Sequence, residues 1–342
     1  MKNKKVSIIM PAYNCESSIN NAIDSVINQD YSNIELIVVN DGSTDKTEQI
    51  LKNIKSEKMK FYTIKNQGVS HARNYGIKHS SGEYIMFIDS DDEYISHFVS
   101  TMVETLENNR VNQVCSSYFT IDNNNKIVGE IIYENNTFIN QCEYIEQLQR
   151  NNLFNQVWNK IYNSKIIKSN GILFDEKISI AEDEKFNLEY LKYCKKMVTI
   201  KMPLYKYKVT PNGLGFKFNP DSNIIKLSMV KMIETMFLAH KYNMKYVYES
   251  YITQYFSLLS NIVDIRNKIS QKEKLMYIEK EIINDMERQK IIKSSKTILD
   301  KKYKILANIL LIKNKYIIYI FGKIAWQYDK YKKKKFGGEI KC

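Results

Sequence analysis

The 342-residue chain carries only four prolines and eleven glycines. So few breakers exclude long linkers and a disordered or low-complexity architecture. Its five cysteines, Cys15, Cys115, Cys142, Cys194 and Cys342, are odd in number, widely spaced and never form Cys-x-x-Cys. That leaves no disulfide framework and no cysteine zinc site, and fits a reducing compartment. Long hydrophobic runs are missing too. The apolar residues 6–10 behind Met1-Lys2-Asn3-Lys4-Lys5 stop at Pro11, too early for a signal-peptide core, and read as a first strand with a basic lead-in. The last apolar stretch, 305–328, is interrupted by Lys313, Lys315 and Lys323, which argues against a transmembrane helix. No Gly-x-Gly-x-x-Gly follows the first strand and no Gly-rich loop ends in Gly-Lys, which argues against a dinucleotide fold or a P-loop.

Charge is present but uneven. Of the chain's net +13, residues 301–342 supply +10, with twelve Lys against Asp329 and Glu339. The rest is nearly balanced, so the main domain is not a general polyanion binder and no nucleic-acid partner is expected. Apolar runs at 6–10, 35–39, 61–64 and 84–88 read as strands. Between and after them lie helical stripes: Ile19, Ala22, Ile23, Val26, Ile27; then Ile50, Leu51, Ile54; a helix from about Val69; and Ile95, Phe98, Val99, Met102, Val103, Leu106. This alternation predicts a largely parallel sheet with helices on both faces. After residue 112 the pattern changes to a hairpin (113–119 and 127–133), a helix near 143–150, a helix after Ala181, and short strands at 197–201 and 205–208. Pro211-Asn212-Gly213 breaks the chain, and from about 222 helical patterns dominate. The expected organisation is a domain at 1–215, with halves 1–110 and 111–215, and a helical region at 220–342.

The chemistry concentrates at strand ends. Asp89-Ser90-Asp91-Asp92 places three carboxylates in four residues directly after the fourth strand. Their mutual repulsion raises at least one pKa unless a cation or donors offset it, and hard oxygen ligands suit a divalent metal. The cluster is not an EF-hand, since Tyr94 and Ser100 stand where Gly and Glu are needed. Asp92 also suits a cap on the next helix. Pro11-Ala12-Tyr13-Asn14 ends the first strand and Asp41-Gly42-Ser43-Thr44-Asp45 the second. Each alone is an ordinary turn; together they line the carboxyl edge of a sheet, where α/β folds bind ligands. There Tyr13 can stack on a planar ring and Asp41 can accept a base N–H. Arg73 suits either a phosphate or a surface acid. Trp158 suits the core or an acceptor wall, Asn159 and Lys160 are ambiguous, and His71, His79 and His97 read as surface residues rather than ligands. Glu182-Asp183 suits the first turn of a helix.

These blocks, with Glu16, Asn66-Gln67-Gly68, Ala72-Arg73-Asn74-Tyr75-Gly76 and Gly82-Glu83-Tyr84, resemble the family 2 glycosyltransferases. A weaker likeness continues through 157–162, 171–175 and 181–186, and none is recognised in the last third. The resemblance implies a GT-A fold: a mixed, largely parallel α/β sheet followed by a mainly helical C-terminal region. It implies an inverting, metal-dependent transferase of hexosyltransferase type. The donor would be a nucleotide-diphosphate sugar, UDP foremost, and the acceptor a glycan or lipid-linked saccharide, in cell-surface polysaccharide synthesis. Pro11, Tyr13, Asp41 and Asp89 would bind the donor. Asp91, with Asp89, would hold Mn2+ or Mg2+, and Asp183 would be the catalytic base. Competing readings are a nucleotidyltransferase, which lacks a Gly-rich basic loop, and a membrane- or glycan-binding scaffold with a degenerate domain. The amphipathic, Lys-rich 301–342 points to an anionic membrane surface, hence a cytoplasmic protein peripheral on the inner face of the cell membrane.

Overall fold

The computed structural model describes residues 4–209, 222–265 and 268–336. The chain divides into two compact units, Met1–Pro211 and Asn212–Cys342. In the first, β1 (Val6–Ala12), α1 (Ile19–Ile27), β2 (Ile34–Asn40), α2 (Thr47–Asn53), β3 (Met59–Thr63), α3 (Val69–His79) and β4 (Tyr84–Phe87) alternate as the apolar periodicities predict. Every residue of β1, β2 and β4 is buried, the signature of parallel strands covered on both faces. They pair in the order β3-β2-β1-β4, all parallel. The carboxyl ends of β2, β1 and β4 therefore lie side by side on one edge. Gly76 lets α3 press directly onto β1, because a Cβ there would meet Ile9 Cγ2 at 2.4 Å.

Beyond β4 come β5 (Glu93–Tyr94), α4 (Phe98–Asn109), β6 (Gln113–Ile121), β7 (Ile127–Ile131), β8 (Asn136–Phe138), α5 (Gln141–Arg150), β9 (Lys160–Asn163), α6 (Ser164–Ser169), α7 (Glu182–Leu191) and β10 (Met197–Lys208). Antiparallel β9 joins β4 to β6, and β6 runs parallel to β10, so the sheet is mixed. Two predicted strands, 197–201 and 205–208, are one strand here. Pro203 has no N–H for the ladder, and the register shifts on either side of it instead of the strand ending. Asp92 does not cap α4: β5 intervenes and His97 occupies the cap position.

The second unit is helical, as expected: α8 (Ser222–Ala239), α9 (Lys245–Val263), α10 (Gln271–Ile278), a π-helical turn at Glu279–Ile283, α11 (Met286–Ser295), α12 (Lys301–Leu310) and α13 (Lys315–Phe336). The long α9 is the hub that α8, α10, α11, α12 and α13 all touch. Phe237, Val247, Leu259 and Ile318 form part of its core. The apolar stretch 305–328 is split between α12 and α13, and no helix among the described residues is long and apolar enough to cross a membrane. Four cysteines, Cys15, Cys115, Cys142 and Cys194, are buried free thiols. The break at Pro211-Asn212-Gly213, the lead-in Met1-Lys2-Asn3 and the side chains of the basic run 328–335 lie outside the described residues.

Candidate active site

The carboxyl edge of the parallel strands is built from two loops sewn together. Asn14, in the left-handed region at φ 47°, accepts the Thr44 N–H at 2.8 Å on its side-chain oxygen, and its own N–H donates to Ser43 Oγ at 3.0 Å. Glu16 ties to the same loop twice: its N–H donates to Asp45 Oδ2 at 3.0 Å, and its Oε2 accepts the Lys46 N–H at 2.9 Å. Pro11 is buried within β1 opposite Val39. Tyr13, just past β1, is 51% exposed and offers its ring to a ligand.

Asp41 is buried, and each of its oxygens already accepts one backbone N–H, from Gln67 at 2.9 Å and Gly68 at 2.8 Å. It therefore braces the loop into α3, where Gly68 sits at φ 96°, a region that suits glycine. A carboxylate oxygen has a second lone pair, so Asp41 keeps acceptor capacity beyond these two bonds.

After β4 the acids separate into different environments. Asp92 is buried and accepts the Tyr205 hydroxyl at 2.7 Å and the Lys208 N–H at 2.7 Å. The same Tyr205 oxygen accepts the Asp89 N–H at 3.3 Å. Asp92 is thus a strut from the loop to β10; burial, then the Asp91 and Asp89 charges, push its carboxyl well above the usual range. Asp91 keeps the solvent-facing position. Protein packed around its base, together with the Asp89 charge, pushes it up to about 6.

Asp89 leads to the centre of the site. Its Oδ1 accepts Arg73 Nη2 at 2.8 Å, while Arg73 Nη1 donates to Asp183 Oδ1 at 2.7 Å and lies 3.6 Å from Glu182. One guanidinium on α3 therefore joins the acid after β4 to two acids in the first turn of α7. Arg73 is almost fully buried, 5.2 Å above the Phe174 ring, and Phe174 stacks on Phe186 at 4.2 Å. Phe87, near the end of β4, stands edge-on to both rings. On this aromatic floor charges are poorly solvated. Burial pushes the Asp183 carboxyl up to about 7 despite Arg73, with Glu182 and Asp89 adding to the rise. The segment before α7 is docked by Asn74, which donates to the Phe174 carbonyl and Glu176 at 2.9 Å each and accepts the Phe174 N–H at 2.8 Å. His71 pairs with Glu176 at 3.1 Å.

The structure thus brings Asp89 and Asp183 together and sets Pro11, Tyr13 and Asp41 on the neighbouring strand ends. Trp158 is buried, stacked on Tyr205 at 4.2 Å and on Tyr207 at 5.3 Å. Lys160 is fully buried, donates to the Leu153 and Gln156 carbonyls and to Asn159 Oδ1, and is pushed down to about 8 by that burial. Sequence reasoning left Arg73 open and missed Asn74 and Tyr205. The clue in the chain was a cation in α3 beside a segment rich in acids, but its partners stand far apart in sequence.

Comparison with known proteins finds similarity to glycosyltransferases. Residues 7–170 match the family described as Glycosyl transferase family 2; the match ends before Glu182 and Asp183. The uncharacterized glycosyltransferase EpsJ of Bacillus subtilis is 33% identical over 214 residues, 61% of this chain and 62% of EpsJ. Glycosyltransferase GlyA of Streptococcus pneumoniae is 28% identical over 221 residues, 62% of this chain and 31% of GlyA. WfgD of Escherichia coli, a UDP-Glc:alpha-D-GlcNAc-diphosphoundecaprenol beta-1,3-glucosyltransferase, is 38% identical over 128 residues, 37% of this chain and 50% of WfgD. In each case the match spans less than two thirds of the relative's own length. Among solved structures, S. aureus TarS in complex with UDP superposes with a TM-score of 0.67 at 19% identity, covering 95% of this chain and 92% of that one. At that identity the likeness is one of fold. Residues 7–170, just under half of the chain, are thus similar to glycosyl transferase family 2.

Proposed function

We propose that the protein moves a sugar from a nucleotide-diphosphate donor, UDP foremost, to a glycan or lipid-linked acceptor in cell-surface polysaccharide synthesis, with inversion at the anomeric carbon. The observation that carries this reading is the Arg73 bridge, which ties Asp183 to Asp89 at the carboxyl edge. A sugar hydroxyl is a weak nucleophile, so a positioned carboxylate with a pKa near the working pH is what its attack requires. As the acceptor oxygen bonds to the anomeric carbon, the bond from that carbon to the diphosphate breaks. The acceptor's proton passes to Asp183, and the nucleoside diphosphate leaves with the bonding electrons. Arg73 keeps Asp183 oriented and pairs with Asp89. Tyr13 would stack on the base, and Pro11 and Asp41 would shape the nucleoside pocket. The name of WfgD, which gives UDP-glucose and a lipid-diphosphate acceptor, and the UDP complex of TarS support the choice of donor and acceptor class.

Mn2+ or Mg2+ fits the residues present. Among the described residues no three His, Cys, Asp or Glu side chains converge on a common metal position. Solvent-facing Asp91 beside Asp89 is instead the sparse donor set of a cation that draws its other ligands from substrate phosphates. Such a cation would be held by Asp91 with support from Asp89 and would supply charge stabilisation to the departing diphosphate.

The test is nucleotide-diphosphate release by the full chain from a panel of UDP-, GDP- and dTDP-sugars, with Mn2+ and with EDTA. Metal-dependent release from at least one donor is expected. Full activity in Asp91→Ala, or no binding or turnover with any donor, overturns the reading.

We further propose that the helical unit rests on an anionic membrane surface. Tyr316, Ile320 and Ile324 recur at a spacing of four along α13 and are exposed together with Ile317, and Lys313 and Lys323 flank them. An apolar stripe with basic flanks is the pattern of an interfacial helix. Ile320→Glu with Ile324→Glu should weaken partition onto anionic vesicles; unchanged partition overturns this part.

A further inference from the structure

The helical unit contains a cavity of about 170 Å3 between α8, α9 and α11, with Lys231, Tyr251, Tyr255, Asp285 and Arg288 among its lining residues. Arg288 is completely buried. Its Nη1 donates to the Glu281 carbonyl at 2.8 Å, its backbone N–H is capped by Asp285 Oδ1 at 3.0 Å, and its guanidinium lies 4.9 Å over the Tyr255 ring. Its Nε and Nη2 have no hydrogen-bond partner among the described residues.

Those two atoms are not a random remainder. They form one edge of the guanidinium, the side-on fork whose two parallel N–H groups match two oxygens of a single carboxylate or phosphate. Tyr255 covers one face of the fork and Glu281 takes the far nitrogen, which leaves the in-plane edge as the direction from which a ligand can reach it. Orphaned buried donors in a native fold call for an unseen partner. Burial pushes this guanidinium down to about 10 despite the nearby Asp285 and Glu281 charges, so it is charged at neutral pH while its Nε–Nη2 edge has no hydrogen-bond partner among the described residues. Asp285 is engaged by one oxygen at the start of α11, and Lys231 lines the wall.

We propose that this cavity is a binding site for a small oxyanion, a phosphate or carboxylate group held bidentate on the Nε–Nη2 edge of Arg288. The site belongs to the helical unit and does not depend on the transferase reading of the sheet edge.

The experiment uses the full chain in EDTA at constant ionic strength. Inorganic phosphate, glucose 1-phosphate and acetate are titrated separately, with the melting temperature and, for the two phosphates, the 31P linewidth as readouts. A ligand that binds only the folded state raises the melting temperature progressively with its concentration, and that rise is expected for at least one anion. Phosphate alone identifies a free ion, glucose 1-phosphate an esterified one, and acetate a carboxylate. In Arg288→Met the rise should vanish while the ligand-free protein melts no lower, because a buried, half-satisfied guanidinium has been replaced by apolar volume. Anion binding at the sheet edge would survive that substitution, which separates the two sites. If Arg288→Met does not fold, Arg288→Lys keeps the charge but loses the fork, and affinity should fall on the order of tenfold. No shift and no line broadening with any of the anions in the wild-type chain, or an undiminished shift in Arg288→Met, overturns the proposal.

Discussion

The two ends of one sheet treat carboxylates in opposite ways. At the amino end Glu35, the second residue of β2, is buried. Burial alone would raise its carboxyl, yet Lys5, Ser7 and Ser81 outweigh that and hold it down at about 2. At the carboxyl end Asp183 is pushed up to about 7 and Asp91 to about 6. The difference is in the supply of donors. Glu35 has a lysine, two hydroxyls and a backbone N–H to itself, whereas Arg73 alone faces Asp89, Glu182 and Asp183. A carboxylate whose charge is fully answered serves architecture. One whose charge is under-answered is ready to take a proton or a cation.

This contrast can be tested from either end. Asp183→Asn should have the largest effect, lowering sugar transfer by about 10²–10⁴ while nucleotide-sugar binding and melting temperature are preserved. Loss of binding along with turnover would remove Asp183 from the role of base. In the wild-type enzyme turnover should rise as pH increases through about 7, because only the ionised carboxylate accepts the proton. Stability runs the other way for this group: the contribution of its raised pKa is fully present below the ordinary value of 3.8 and is lost progressively as pH rises from there to about 7. A pH–rate profile set beside pH-dependent melting separates the two.

Arg73→Met should leave three acids facing one another and reduce turnover by about 10² or more, and Arg73→Lys should recover only part of it, since an ammonium cannot fork between Asp89 and Asp183. A fully active Arg73→Lys would show that the bridge is only a point charge. Glu35→Gln should destabilise the fold by roughly 3 kcal/mol at neutral pH, read by denaturant melts, with turnover per folded molecule unchanged. The depressed Glu35 pKa contributes stability above about 4.5 that is lost as pH falls toward 2. Should Glu35→Gln abolish turnover in folded protein, the division between the two ends fails. Tyr13→Ala should have the smallest effect, about tenfold weaker nucleotide binding from a lost stacking surface, with no change in melting because the ring is half exposed.

The strand ends that face the site were legible because β1, β2 and β4 are unbroken apolar runs with turns after them, and short-range pattern is enough to locate such strands. Asp41, Asp89 and Asp91 could be picked out for the same reason. Arg73 could not be assigned, because its meaning lies in partners that come from β4 and α7 and meet only when the sheet forms. The cap offered as one role for Asp92 does not form, since the two-residue β5, which carries too little pattern to register, intervenes. Tyr205 lies in β10, whose disturbance at Pro203 made one strand read as two.

The lacing of Asn14 and Glu16 to residues 43–46 has a consequence for how donor preference can change. The two loops that would frame the proposed nucleoside pocket are each other's hydrogen-bond partners, so neither has an independent shape. Grafting one of them from a relative would strand donors and acceptors on the other and blur the pocket instead of re-tuning it. Selectivity for the nucleotide is therefore inherited by the pair as one unit, and substitutions that retune it should occur as matched changes across both loops.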